Sequence, residues 1–124
     1  MSQQINATER SGEAGETMTG KQYFIVQLDA TGKIEVAESA TDLIVGVLQN
    51  EPLVGEAAFY RFGGTSKVKA GGVIAIGDWV TSDSAGEGVA TTTDGNIVIG
   101  RALEAAADGD IIEVQLGIQH LYIA

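Results

Sequence analysis

The sequence predicts an all-β protein, either a small β-barrel or a β-sandwich of short strands. Short apolar, β-prone runs alternate along the chain with turns that are rich in Gly and Asp. The 124 residues include 17 glycines and a single proline, which favours many tight turns. No segment has the length and the 3.6-residue period of a substantial amphipathic helix. These three observations together favour a strand-based architecture.

Four strands are expected in the first half of the chain. The turn Asp29-Ala30-Thr31-Gly32 divides the first two, because Asp can bond to its own backbone and Gly can adopt a positive φ. The third strand is stopped by the polar residues that lead to Pro52. The predicted strands are Tyr23–Leu28, Ile34–Ala37, Ile44–Leu48 and Ala57–Phe62.

The second half continues the same alternation of strands and turns. Residues Asp83–Gly88 are predicted to form a turn region, and the Ala-rich connection Glu104–Asp110 has the composition of a single helical turn. The predicted strands are Thr65–Lys69, Val73–Ile76, Trp79–Ser82, Ile97–Leu103 and Ile111–Leu116.

An internal repeat is predicted from the order of these elements. A shift of 54 positions places residues 24–62 over residues 78–116 without a gap. Turn then meets turn, as DATG meets DSAG, and strand meets strand, as DLIVG meets NIVIG. The order of elements carries this argument better than the few identities do. We therefore expect two similar β units, related by a pseudo-two-fold axis.

The predicted organisation is an N-terminal arm over residues 1–20, a β-rich body over residues 21–116 and a tail over residues 117–124. The arm has few apolar side chains, and it is either a frayed terminus or a segment that becomes ordered on a partner. Deleting residues 2–16 is accordingly expected to leave the fold intact. The tail is either a terminal strand of the body or an edge strand that pairs with a neighbour.

Composition and charge exclude several classes of protein. The chain has no cysteine, which excludes disulfide scaffolds and thiolate metal sites. Its formal net charge is −10, so the phosphate backbone of a nucleic acid would be repelled. No apolar run reaches the length of a membrane helix or a signal peptide. We expect a protein that is made in the cytoplasm and binds neither nucleic acid nor membrane.

No catalytic or cofactor site is predicted. His120 is the single histidine, and no Gly-x-Ser-x-Gly elbow accompanies it. The Asp-rich turns, such as Asp83-Ser84-Ala85-Gly86, lack the spacing of a calcium loop, although a structural calcium ion stays an open alternative. The expectation is a protein without enzymatic activity, metal or cofactor.

Candidate contact residues are instead those that are unusual for their position. Trp79 is either a core residue or an interface anchor, and Arg61 and Arg101 interrupt apolar strands. The arm and the tail supply the other candidates. The full set of predicted partner-binding residues is Gln3, Gln4, Ile5, Arg61, Trp79, Arg101, Leu121 and Tyr122.

An ordered series of phrases in this sequence resembles a known family. The series begins with a D-x-x-G-K turn, continues through VGVLQN at residues 45–50, Gly55-Glu56, KAGG at residues 69–72 and Gly77-Asp78, and closes with IGRALE at residues 99–104 and Gly109-Asp110. It is similar to the series found in bacteriophage capsid decoration proteins, also called cement proteins. The resemblance covers roughly residues 21–116.

The resemblance implies a protein of the virion that binds the outer surface of an assembled phage head. It also implies a homotrimer that bridges subunits of the major capsid protein and stabilises the head. Two alternatives stay open. One is another structural part of the virion, such as a head fibre, a tail component or a spike base. The other is a small β-barrel accessory domain of an enzyme.

Overall fold

The computed structural model describes residues 8–121, which form ten β-strands and no helix. Alternating buried and exposed side chains, as in β6, show why these segments are strands with one face on a core. The strands are β1 (Glu9–Glu13), β2 (Ile25–Leu28), β3 (Ile34–Val36), β4 (Ile44–Leu48), β5 (Ala57–Arg61), β6 (Thr65–Lys69), β7 (Trp79–Ser82), β8 (Gly88–Ala90), β9 (Ile97–Ala102) and β10 (Ile111–His120).

The strands build two antiparallel sheets of five strands each. The first sheet has the order β1-β5-β4-β2-β3, and the second has the order β6-β10-β9-β7-β8. Both sheets are open, because each order ends in two edge strands and does not return to its start. The prediction of an all-β fold is therefore confirmed in its sandwich-like form, and the closed-barrel alternative is wrong.

The predicted internal repeat is present in the topology. The first unit, β1–β5, and the second unit, β6–β10, have the same strand order. Strand β2 begins at residue 25 and β7 at residue 79, which is 54 positions later, and β5 and β10 begin at residues 57 and 111 with the same offset. One isolated bridge also repeats, because Ala14 pairs with Ile34, and Ala70 pairs with Gly88, 56 and 54 positions later. The two-fold relation between the units stays a prediction.

Two cores hold the molecule together. The smaller core lies within the first unit and includes Met18, Val26 and Leu48. The larger core joins the two units, because Ile25 and Val47 of the first unit pack with residues of the second unit such as Val80 and Ile99. Burial of these apolar side chains couples the units into one body.

The expected N-terminal arm is corrected by the structure over most of its length. Residues 9–13 form β1, which pairs with β5 from the Glu9–Arg61 pair to the Glu13–Ala57 pair. Ala14 and Met18 are fully buried. The prediction relied on the low apolar content of this segment. Strand pairing, however, uses backbone hydrogen bonds, which polar residues form as well as apolar ones. Residues 1–7 lie outside the described residues.

The described part of the tail follows the first of its two predicted alternatives, because residues 117–120 continue β10 and pair with β9 as a strand of the body. Three local predictions change. The expected strand Val73–Ile76 contributes only the bridge from Ile74 to Ala106. Residues 104–110 form turns and no helical turn. A short strand, β8, follows the Asp83 turn where none was predicted.

Candidate docking surface

Trp79 and Arg101 form a stacked pair on the outer face of the second sheet. They lie directly opposite each other on β7 and β9. The guanidinium carbon of Arg101 is 4.3 Å from the centre of the Trp79 ring, within the range of a cation–π interaction. Arg101 is exposed and Trp79 is only half-buried. The pair is a rigid, amphipathic surface of the kind that anchors protein interfaces.

The pair belongs to a row of side chains that crosses the sheet. Gln115 on β10 lies opposite Arg101, and Thr65 on β6 lies opposite Gln115. The row borders a shallow depression of about 410 Å³, whose lining residues include Trp79, Arg101, Gln115 and Gln119. This depression is open to solvent and does not enclose a small molecule.

The same face carries cations on a chain that is strongly acidic overall. Lys67 and Lys69 alternate with buried residues on β6 and therefore share the side of the sheet with Thr65. With Arg101 they are three of the seven cationic side chains in the sequence. Glu113 on β10 lies opposite Lys67, next to this row. The face therefore suits an acidic partner.

The residues of the first unit that are equivalent to Trp79 and Arg101 are covered. The 54-position offset relates Trp79 to Ile25 and Arg101 to Val47, and these two residues are also opposite each other in their sheet. Both are fully buried and belong to the core between the units. One position in the repeat is thus an internal contact in the first unit and an exposed surface in the second.

Arg61 is placed apart from this pair. Its Nε donates to Glu9 Oε2 at 2.9 Å, its Nη2 contacts the same oxygen, and its Nη1 donates to the carbonyl oxygen of Thr65 at 2.9 Å. These bonds join β1 to β5 and the first unit to the start of the second. The structure therefore gives Arg61 a role inside the molecule, and its partner contact stays a prediction.

Leu121 is also internal, in contrast to its prediction as a contact residue. It is 7% exposed, its N–H donates to the Asn96 carbonyl at 2.8 Å, and its carbonyl accepts from Gly95 at 2.7 Å. Apolar burial at the end of β10 explains this position. The remaining candidates, Gln3, Gln4, Ile5 and Tyr122, lie outside the described residues.

The first unit carries an acidic turn, whose charge is opposite to that of the cationic face on the second unit. The Asp29 carboxylate accepts from the N–H groups of Thr31 and Lys33 and from the Thr31 hydroxyl, at 2.7–2.9 Å. The Lys33 N–H and then the Thr31 hydroxyl lower the pKa of Asp29. Burial, followed by the charges of Asp29 and Glu16, raises the pKa of Glu35. Carboxylates are therefore crowded beside this turn.

Among residues 8–121, no three His, Cys, Asp or Glu side chains are grouped as ligands for a metal ion. His120 is exposed on β10 opposite Ile97. No helix in the described range could cross a membrane.

Gln115 and the two lysines of β6 were missed by the sequence analysis. Their signal was available, because side chains two positions apart in a strand share a face. The offset of 54 also pairs Trp79 and Arg101 with two apolar residues. This difference between apolar and polar residues at equivalent positions indicates that the face is buried in the first unit and exposed in the second.

Comparison with known proteins agrees with the fold and identifies the family. No curated protein matches the sequence. The head fiber gp8.5 N base in bacteriophage phi29 has a similar structure, with a TM-score of 0.67 and 21% sequence identity over 93% of this chain and 98% of that chain. At this identity the likeness concerns the fold. A family model described as phage cement protein matches residues 25–116, from the start of β2 into β10. The chain therefore belongs to the phage cement protein family, whose members are structural proteins of the phage head.

Proposed function

We propose that the protein binds the outer surface of an assembled phage head as a homotrimer and bridges neighbouring subunits of the major capsid protein. The family match over residues 25–116 carries this proposal. The protein is made in the host cytoplasm and joins the head there. It acts by binding, without catalysis, metal or cofactor.

Exposed apolar loops supply the contact with the capsid. Leu53 and Val54, between β4 and β5, are 51% and 61% exposed. Val73 and Ile76, between β6 and β7, are 79% and 71% exposed. Large apolar side chains at such exposure often mark a contact surface.

The loops occupy corresponding ends of the two units. The Val54 N–H donates to Thr17 Oγ1 at 3.2 Å, so the loop of Val54 touches the loop between β1 and β2. Val73 lies in the equivalent loop, between β6 and β7. Each chain therefore presents two apolar loop tips, which we name the Val54 tip and the Val73 tip, and a trimer presents six.

Several tips make bridging effective. One tip offers few side chains and would bind weakly by itself. When several tips belong to one trimer, the second and later tips bind neighbouring sites at a high effective concentration. The trimer as a whole therefore binds tightly. Neighbouring capsid subunits would then be held to each other through the trimer.

The proposal is tested by mixing purified protein with undecorated heads and imaging the particles. Wild-type protein is expected to add regular density outside the head, in groups of three copies. The double variant Val54→Ser with Val73→Ser is expected to lose occupancy. Leu43→Ser is the matched control, because Leu43 is 60% exposed but lies in the loop between β3 and β4.

Heads that stay bare with wild-type protein, or single isolated copies on the surface, would contradict the proposal. Full decoration by the double variant would show that the tips are not the contact. In that case residues 1–7, with Gln3, Gln4 and Ile5, become the next segment to delete.

A second candidate is the base of a head fibre. The similarity to the head fiber gp8.5 N base in bacteriophage phi29 favours it. The same images separate the two candidates. A fibre that extends from each added density supports the fibre base, whereas compact density alone supports the cement role.

A further inference from the structure

Within the chain, a turn of the second unit is seated on the first unit. Gly86, in the turn between β7 and β8, accepts from the Ile25 N–H at 2.7 Å. A Cβ atom on Gly86 would lie 2.3 Å from a methyl group of Val36 and 3.3 Å from the Ala37 carbonyl oxygen. The turn is therefore in tight contact with the edge of the first sheet. We call this contact the internal seat.

The first unit has the same turn, but its Gly32 side is open. Asp29 and Asp83 each accept bonds from the residues two and four positions later, at 2.8 and 2.9 Å in both turns. Gly32 is the equivalent of Gly86. Apart from its sequence neighbours, no atom of residues 8–121 lies within 4 Å of a Cβ atom built on Gly32.

The second unit has the matching edge, which is also free. The offset of 54 relates Ile25, Val36 and Ala37 of the internal seat to Trp79, Ala90 and Thr91. The Thr91 N–H donates to the Trp79 carbonyl at 3.0 Å, as the Ala37 N–H donates to the Ile25 carbonyl at 2.9 Å. The same backbone arrangement therefore exists in both units, and only the first is occupied by a turn.

We propose that the Asp29–Lys33 turn of one copy binds the Trp79–Thr91 edge of a second copy and repeats the internal seat between chains. The occupant is thus this chain itself. Continuity with the internal seat supports it, because both halves of the contact exist in each chain.

Charge complementarity also supports this contact. The turn carries Asp29 with Glu35 and Glu16 beside it, and Lys33 is 3.5 Å from Glu13. Arg101 stacks on Trp79 at the receiving edge and faces solvent. An acidic turn therefore meets a cation, which favours association and fixes its direction.

The proposed contact is head-to-tail, since it joins different surfaces of the two copies. Such contacts close into rings when the rotation allows it. The number of copies in that ring rests on the trimer proposed above. The pairing of the two surfaces does not require the capsid.

Disulfide trapping tests the pairing, because the native chain has no cysteine. Ser84 and Glu38 both line the depression at the internal seat, and the offset relates them to Ala30 and Thr92. The double variant Ala30→Cys with Thr92→Cys is expected to give covalent dimers and trimers under mild oxidation. Ser84→Cys with Glu38→Cys is the matched control and is expected to crosslink within one chain.

Each single-cysteine variant is expected to stay monomeric, because the proposed contact joins residue 30 of one copy to residue 92 of another and the native chain has no cysteine. A crosslinked control pair together with an Ala30–Thr92 pair that stays monomeric would overturn the proposal. If the control pair also fails to crosslink, sedimentation decides. Arg101→Glu is expected to sediment as a folded monomer with wild-type circular dichroism, and Arg101→Glu that assembles like wild type would overturn the proposal.

Failure of this inference and failure of the proposed function give different results. Copies that crosslink head-to-tail but leave heads bare would contradict the capsid role and keep the pairing. Heads that are decorated by protein without the crosslink would keep the capsid role and reject the pairing.

Discussion

Gly46 and Gly100 occupy equivalent positions, and each leaves room for a backbone carbonyl of the neighbouring strand. A Cβ atom on Gly46 would lie 2.4 Å from the Arg61 oxygen, and one on Gly100 would lie 1.8 Å from the Gln115 oxygen. Arg61 and Gln115 are themselves 54 positions apart. Both glycines lie beside register shifts, between β2 and β4 and between β9 and β10. The close approach is therefore a property of the repeated unit.

Gly100→Ala is expected to destabilise the protein strongly, because the new methyl group meets backbone that cannot rotate away. The φ of 152° at Gly100 adds to the strain. We expect a loss of about 3 kcal/mol or more in urea unfolding. Gly117→Ala is the control, since the described chain leaves open space there, and a change of less than about 0.5 kcal/mol is expected. Equal stability of the two variants would contradict the claim that the neighbouring backbone excludes a side chain at Gly100.

Met18→Ala should test whether the N-terminal segment is part of the body. Met18 is fully buried in the core of the first unit. Truncating a buried Met costs about 2–5 kcal/mol. Thermal unfolding is expected to show this loss. Deleting residues 2–16 should be at least as damaging, since it removes β1, whereas deleting residues 2–7 should leave the melting temperature unchanged. A stable 2–16 deletion would restore the interpretation of this segment as a separate arm.

Asp29→Ala is expected to lower stability at neutral pH and to matter less in acid. Folding lowers the pKa of Asp29 from 3.8, because the ionised carboxylate accepts bonds from Lys33 and Thr31. Its contribution is therefore present above the unfolded pKa and is lost as the pH falls through the folded pKa. Urea midpoints at neutral pH and below pH 3.8 would measure this. A difference between variant and wild type that grows in acid would contradict the sign.

Glu35→Gln is expected to have the opposite effect and to raise stability at neutral pH. Burial and the charges of Asp29 and Glu16 raise the pKa of Glu35 above 4.5, so its ionised form is disfavoured in the fold. The favourable state is protonated, and it is lost as the pH rises through the folded pKa. The gain should vanish below pH 4.5. Asp108→Asn, at an exposed turn away from this cluster, should show no such gain.

Much of the fold was predictable because turn chemistry and alternation are local. The Asp29 and Asp83 turns form as expected, and most strands begin within a few residues of their predicted positions. Strands β1 and β8 were missed, since polar residues pair in a sheet as readily as apolar ones when a neighbouring backbone is available.

The sequence could predict which residues of the candidate site are unusual, but not which of them contact each other. The sequence indicated that Trp79, Arg61 and Arg101 were unusual. It could not show that Trp79 and Arg101 stack while Arg61 binds Glu9, because these contacts depend on strand order and register.

The all-β class, the internal repeat and the family follow from the amino-acid sequence, because each depends on local composition and on the order of motifs. Which copy of a repeated surface is covered depends on how the two units pack. Ile25 and Trp79 hold the same place in their units, yet one is core and the other borders solvent. Burial depends on what packs against a face: apolar Ile25 and Val47 indicate that their face is buried, but not that the second unit covers it.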